Sequence, residues 1–195
     1  MRSLDGYYVL VAIVGLERLF ELWLSRRNAH RAFARGGVET GRAHYRAMVV
    51  VHTAFLAACV GEAAVFHRAF PPILGWLAIA GVVVAQALRY SAVLALGERW
   101  NTRIVVIPGA APVTSGPYRF VRHPNYIAVA LELVALPMVH GCWLTAIVFS
   151  AANLLLMRIR IPAEEAALGA DYARAFAQRS RFIPSATRTS RVRAS

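Results

Sequence analysis

Five stretches of the chain, near 5–24, 47–66, 72–92, 124–140 and 142–161, are predominantly apolar and close to the length a helix needs to cross a bilayer. That pattern leaves few folds open. Of the 195 residues 58% are hydrophobic and only 16% charged, so apolar surface beyond what one soluble domain buries must face lipid. Disorder is excluded on the same ground, because a chain this apolar has too much surface to hide. The first stretch follows Met1, Arg2 and Ser3 in the manner of a secretory leader. It carries Glu17, Arg18 and Glu21 and lacks a small-residue cleavage pattern, so it reads as a retained span. Those charges lie near the span end that meets Arg26 and Arg27, where they reach the interface or pair with one another.

The arginines orient the spans. All 22 basic residues are Arg, and sixteen of them fall in 25–46, in 93–123 and after 161, against Arg2 and Arg68 on the opposite side. By the positive-inside rule the N-terminus faces out, the C-terminus faces the cytosol, and the number of spans is odd, which five satisfies. The expected fold is therefore an all-α integral membrane protein of about five transmembrane helices. The net charge of +12 suits anionic lipid; the arginines flank apolar runs and form no recognisable module, which argues against nucleic acid as a partner. Cys59 and Cys142 are the only cysteines, each inside an apolar run, so neither a disulfide scaffold nor a metal site is expected.

Three regions follow from this order: helices one to three with a basic loop at 25–46 (1–97), a region with helices four and five (98–184), and a disordered basic tail (185–195). Loop 25–46 reads as a short polar helix ended by Gly36 and Gly37. Arg103 to Pro108 is β-branched and extended in character, and Gly109, Pro112, Gly116 and Pro117 impose turns after it. Ala163 to Gln178 carries Leu168, Tyr172 and Phe176 at helical spacing, one apolar stripe.

Two clusters concentrate unusual residues. In the first, Pro124 suits the first turn of a helix and His123 its cap, so His123, Asn125 and Tyr126 gather at the positive end of the fourth span, beside Tyr118, Arg119 and Arg122. Singly, each of these residues fits an ordinary interfacial turn with aromatic anchors. The second cluster joins Asn153, Arg158, Arg160, Glu164 and Glu165 at the end of the fifth span; 153, 160 and 164 share one helical face, although Pro162 is expected to kink it. Together with Glu132, two turns along span four from Asn125, these groups suggest a pocket.

The run Gly116-Pro-Tyr118-Arg119-x-x-Arg122-His123-Pro124-Asn125-Tyr126, then Arg160-x-x-x-Glu164-Glu165 and Gly169-x-x-Tyr172, resembles the isoprenylcysteine carboxyl methyltransferase family of integral membrane methyltransferases. Upstream, Glu17-Arg18-x-x-Glu21, Ser25-Arg-Arg-Asn28, His44-Tyr45 and Gly97-Glu-Arg-Trp-Asn-Thr-Arg103 resemble one bacterial branch, often encoded beside type III polyketide synthases, that methylates oxygen of long-chain alkylpyrones or alkylresorcinols. The Arg-His-Pro-x-Tyr element is shared with phospholipid N-methyltransferases and NADPH-dependent steroid-reductase-like membrane proteins, which stand as alternatives.

The resemblance implies S-adenosylmethionine as cofactor and a cytosolic pocket formed by 98–124 and the C-terminal helix, in the bacterial cytoplasmic membrane. It implies cofactor contacts at the backbone of Ala110, Ala111, Pro112 and Val113 and at Arg103, Tyr118, His123, Pro124, Asn125, Tyr126 and Glu164. Arg160 matches the acceptor-side arginine, and Glu165 or Glu132 is a candidate base for an acceptor that is not already acidic. The acceptor is a lipophilic enol, phenol or isoprenylcysteine-type carboxylate. Methyl transfer from a sulfonium to an oxyanion removes charge on the way to the transition state, so a dry cavity at the membrane face favours it.

Overall fold

The computed structural model describes residues 2–184; the tail expected to be disordered, 185–195, lies outside the described residues. Helix α1 (Arg2–Ala34) is a single rod of 33 residues, about 50 Å long, where the sequence suggested a span followed by a separate polar helix. Between Leu24 and Ala34 no glycine or proline interrupts it. It ends where the Gly37 N–H closes back on the Ala32 carbonyl, 2.8 Å. One stripe of α1 turns inward: Tyr7, Val11 and Val14 are buried in its first half, then Glu21, Ser25 and Asn28. Spaced three and four residues apart, these lie on one face, apolar at one end and polar at the other.

Three further long helices follow, α2 (Arg42–Val65), α3 (Pro72–Leu96) and α5 (Trp143–Ala175), with the shorter α4 (Pro124–Met138) before α5. By length and composition α2, α3 continued to Arg99, and α5 can cross a membrane. Helix α4, at 15 residues, rises only about 22 Å, and α1 carries charges midway along its length. Leu16, Leu19 and Phe20 of α1, Trp76 and Leu77 of α3, and Ile147 and Leu155 of α5 are all more than half exposed. So much outward apolar surface belongs against lipid.

Small residues bring α3 and α4 together. Ala78, Ala85 and Ala92 are buried on α3 and Ala128 and Ala135 on α4, and a Cβ on Gly81 would stand 3.0 Å from the Cβ of Ala135. At the other end of the bundle, Glu62 of α2 accepts from the Thr145 N–H (2.7 Å) and the Leu144 N–H (3.3 Å), capping the start of α5, while Arg68 holds the same carboxylate at 2.8 Å.

The all-α expectation is corrected in one place. The extended run is strand β2 (Ile104–Val106), and it pairs antiparallel with a three-residue strand β1 (Val38–Thr40), Glu39 opposite Val105. The backbone keeps helical φ/ψ through Pro162, and the break in α5 lies at Gly169 (φ 75°, ψ −165°), a conformation open to glycine because it lacks Cβ. The stripe foreseen at 168, 172 and 176, which straddles that break, packs on Tyr118 and Ala92.

Candidate active site

Pro124 opens α4 and His123 stands just outside it (φ −128°, ψ 61°). Asn125 and Tyr126 form the first turn. Across from them α5 lays Asn153, Met157, Arg160 and Glu164 along one face, at steps of four, three and four residues. The 3-10 turn at Gly116–Arg119 brings in Tyr118. Gly116 has φ 56° and its missing Cβ would lie 2.9 Å from the Cβ of Ala95, so this turn fits against α3 only as glycine. Together with Thr102 to Val113 these elements line a cavity of about 1010 Å³.

Arg160, 4% exposed, organises its polar half. Its Nε donates to the Tyr126 hydroxyl (2.9 Å) and its Nη2 to the Thr102 carbonyl (2.6 Å). The Tyr126 hydroxyl in turn donates to Glu164. Arg160 Nη1 is buried and has no partner among the described residues. Tyr118, outside the spans, has its hydroxyl pKa pushed well up by burial, reinforced by the Glu164 carboxylate, so it stays a neutral donor.

The Thr102 carbonyl is itself fixed by the polar end of α1. Ser25 Oγ accepts from the Thr102 N–H (3.1 Å) and donates to Asn101 Oδ1 (2.6 Å), and Asn28 Nδ2 donates to the carbonyls of Trp100 (2.8 Å) and Gly97 (3.2 Å). Arg103 lies 5.2 Å over the Tyr45 ring and 3.7 Å from Glu39, which ties β1 to the cavity wall.

The cavity continues between α1 and α2 past Gly15, Leu16, Leu19 and Leu56. Here a buried ion cluster stands among apolar side chains. Arg18 pairs with Glu21 (2.8 Å), Arg89 with Glu132 (3.0 Å), and the cross pairs Arg18–Glu132 and Arg89–Glu21 close at 3.5 and 3.6 Å. The span-one charges thus pair with each other and with helices α3 and α4.

Of the residues singled out in the sequence, Arg103, Ala110, Ala111, Pro112, Val113, Tyr118, His123, Asn125, Tyr126, Arg160 and Glu164 all line this one cavity. Pro124 is buried behind it. Glu165, a candidate base, does not line it. One oxygen accepts from His123 Nε2 (3.0 Å) and Arg181 Nε (3.0 Å), the other from Arg181 Nη2 (2.6 Å). Burial raises the Glu165 pKa, but the hydrogen bonds from Arg181 and His123 outweigh it and hold the carboxyl below the ordinary range. Glu132, the other candidate base, is likewise committed to Arg89 and Arg18. Sequence reasoning assigned no role to Ser25, Asn28, Thr102 or Arg181; the Ser-x-x-Asn spacing on α1 was the available signal for the first two.

Eight buried polar atoms of cavity-lining residues have no partner among the described residues, and four of them stand on α4 and α5: Asn125 Oδ1, Asn153 Oδ1, Arg160 Nη1 and Tyr172 Oη. With the Glu164 carboxylate they form a mixed set of donors and acceptors, which fits a ligand bearing amino, carboxylate and ribose hydroxyl groups, as S-adenosylmethionine does. Among the described residues no group of three or more His, Cys, Asp or Glu could hold a metal ion.

Fold and cavity define a helical integral membrane protein with a polar site opening onto an apolar one. Residues 76–170 match the model of the isoprenylcysteine carboxyl methyltransferase (ICMT) family. The chain is 35% identical over 163 residues to the uncharacterized protein YpbQ of Bacillus subtilis (strain 168), covering 83% of this chain and 96% of the relative. It is 28% identical over 152 residues to an uncharacterized protein of Haemophilus influenzae (strain ATCC 51907 / DSM 11121 / KW20 / Rd), covering 77% and 88%. The chain belongs to the ICMT family, a family of membrane methyltransferases.

Proposed function

We propose that the protein is an S-adenosylmethionine-dependent O-methyltransferase acting on a lipophilic acceptor, with a long-chain alkylpyrone enol or alkylresorcinol phenol as the class to test first. In this reading α1 and α4 also span the bilayer, giving five spans with the N-terminus outside and the site at the cytosolic face. The observation that carries it is Arg160, whose buried, unpartnered Nη1 sits in a cavity with one polar and one apolar half.

When bound, S-adenosylmethionine supplies an electrophilic methyl group on a sulfonium. Glu164, Asn125, Tyr118 and the backbone of Ala110 to Val113 hold it in the polar half. The apolar half between α1 and α2 takes the acceptor's chain. Arg160 Nη1 donates a charge-assisted hydrogen bond to the acceptor oxygen, which lowers that oxygen's pKa, so that the acceptor is held as its oxyanion with its proton released to water, and aims it. The Thr102 carbonyl and Tyr126 hydroxyl lock the guanidinium plane, so its direction is set before the acceptor arrives. Walls of Met157, Val129 and Leu56 exclude water from the meeting point of cation and anion.

The test is transfer of labelled methyl from S-adenosylmethionine into an alkylpyrone or alkylresorcinol by purified protein in detergent. Label appears in the lipid with the natural protein. It falls by about a hundredfold with Arg160→Ala, while circular dichroism of that variant stays unchanged. No label in any lipophilic acceptor, with no cofactor binding by calorimetry, overturns the reading.

A further inference from the structure

Beyond Ala175 the chain doubles back over the start of α4. Three successive strap carbonyls accept from that corner: Arg179 from Arg122 Nε (2.6 Å), Ser180 from the Arg122 N–H (3.0 Å) and Arg181 from the His123 N–H (3.1 Å). The His123 N–H is a donor that the start of α4 leaves free. Phe182 adds a ring contact to His123, centroids 6.4 Å apart. Arg181 then does a second thing. Its guanidinium grips Glu165 with two hydrogen bonds, and Glu165 accepts from His123 Nε2. One residue thus holds His123 at both its backbone and its ring.

We propose that Arg181 is a positioning residue, acting through Glu165 to fix the ring of His123 in the cofactor site. It rests on the function proposed above only for the identity of the ligand. A carboxylate at Nε2 keeps a proton on that nitrogen, the logic by which an outer carboxylate sets a histidine tautomer. Glu165 is free to rotate about its own side chain unless something fixes its plane. The planar fork of Arg181 does so in a way that a point charge does not. With the strap undocked, His123 loses an acceptor for its backbone N–H and the orientation of its ring together.

A mere surface ion pair predicts something different. Arg181 is half exposed, and pairs of that kind add little to stability, so as an ordinary salt bridge its loss would change neither cofactor affinity nor the His123 ring. The experiment compares natural protein, Arg181→Ala, Arg181→Lys and Glu165→Gln in detergent. Calorimetry measures S-adenosylmethionine binding, nitrogen-15 spectra of histidine-labelled protein report the His123 tautomer, and thermal unfolding reports the fold.

For Arg181→Ala the expected result is cofactor binding weakened about tenfold, a His123 ring no longer held as the Nε2–H tautomer, and an unfolding midpoint close to that of the natural protein. Arg181→Lys falls between, because it keeps charge and loses the fork. Should Arg181→Ala not fold, Glu165→Gln, which keeps the shape and removes the charge, must show the same ring change. Unchanged affinity together with an unchanged His123 tautomer overturns the proposal. If the natural protein binds no S-adenosylmethionine, the proposed function falls, and the tautomer in the variants still decides whether Arg181 positions His123.

Discussion

Replacing Arg89 by leucine tests the intramembrane ion cluster most sharply. Arg89 and Glu132 are 4% and 2% exposed and meet at 3.0 Å, so Arg89→Leu leaves a carboxylate among apolar side chains. Removing one partner of a buried pair costs about 3–5 kcal/mol. Here Glu132 keeps Arg18 at 3.5 Å, which places the loss at the low end, about 3 kcal/mol. In a chain of this size that lowers the unfolding midpoint by about 6–12 °C. The double variant Arg89→Leu/Glu132→Leu removes both charges and leaves Arg18 paired with Glu21 at 2.8 Å. It should return to within about 1 kcal/mol of the natural protein. The assay is thermal unfolding of the natural protein, Arg89→Leu, Glu132→Leu and the double variant in one detergent, read as a double-mutant cycle. If the double variant is as unstable as the single one, the loss comes from packing and the charge argument is wrong.

Three further outcomes follow from individual contacts. Asn28→Ala leaves the Trp100 carbonyl without its donor and the Gly97 carbonyl with only the Trp100 N–H; a loss of about 1–3 kcal/mol is expected, with faster proteolysis between Gly97 and Arg103 as the local readout. Gly116→Ala must fit a Cβ 2.9 Å from that of Ala95 at φ 56°; it should destabilise by about 1–3 kcal/mol and weaken S-adenosylmethionine binding through Tyr118, measured by calorimetry. The Glu165 carboxyl has a folded-state pKa below its unfolded value, so its contribution is fully present above the ordinary carboxylate value of about 4.3 and is lost as pH falls through the lower folded value. Exchange protection of the Arg122 and His123 amides should therefore hold from neutral pH to about 5 and drop below about 4, and Glu165→Gln should abolish that dependence.

Much of the architecture is legible because lipid imposes a simple rule on sequence. Apolar runs mark α2, α3, α4 and α5, and the β-branched run at 104–106 marks an extended segment. Side chains four and seven apart on α5 predict that Asn153, Arg160 and Glu164 face one way, and they do. What stayed hidden depends on partners far along the chain. Strand β1 is three residues with no pattern of its own, and only β2 makes it a strand. Glu132 and Glu165 stood out as candidate bases, and their partners Arg89 and Arg181 stayed hidden because they reach them from other segments. The missing N–H of Pro162 is visible in sequence, whereas the surroundings that keep helical backbone through it are not. At Gly169 the reverse holds: a glycine inside a helical pattern gives no warning that the backbone will turn there.

Helix α1 connects the two halves of the cavity. Its inward stripe passes from Arg18 and Glu21, which pair with α3 and α4 in the apolar half, to Ser25 and Asn28, which hold the segment Gly97–Arg103 in the polar half. Both sets lie on one face only because the helix is continuous, since a single residue inserted between them would turn the second set by about 100°. The Thr102 carbonyl that sets the Arg160 guanidinium is therefore registered, through Ser25, against the same helix whose Leu16 and Leu19 line the apolar half. A polar loop would wander on its own. Fixed to a rod that also borders the lipid-facing half, it keeps Arg160 aimed at the boundary where a water-soluble methyl donor and a lipid-soluble oxygen would have to meet.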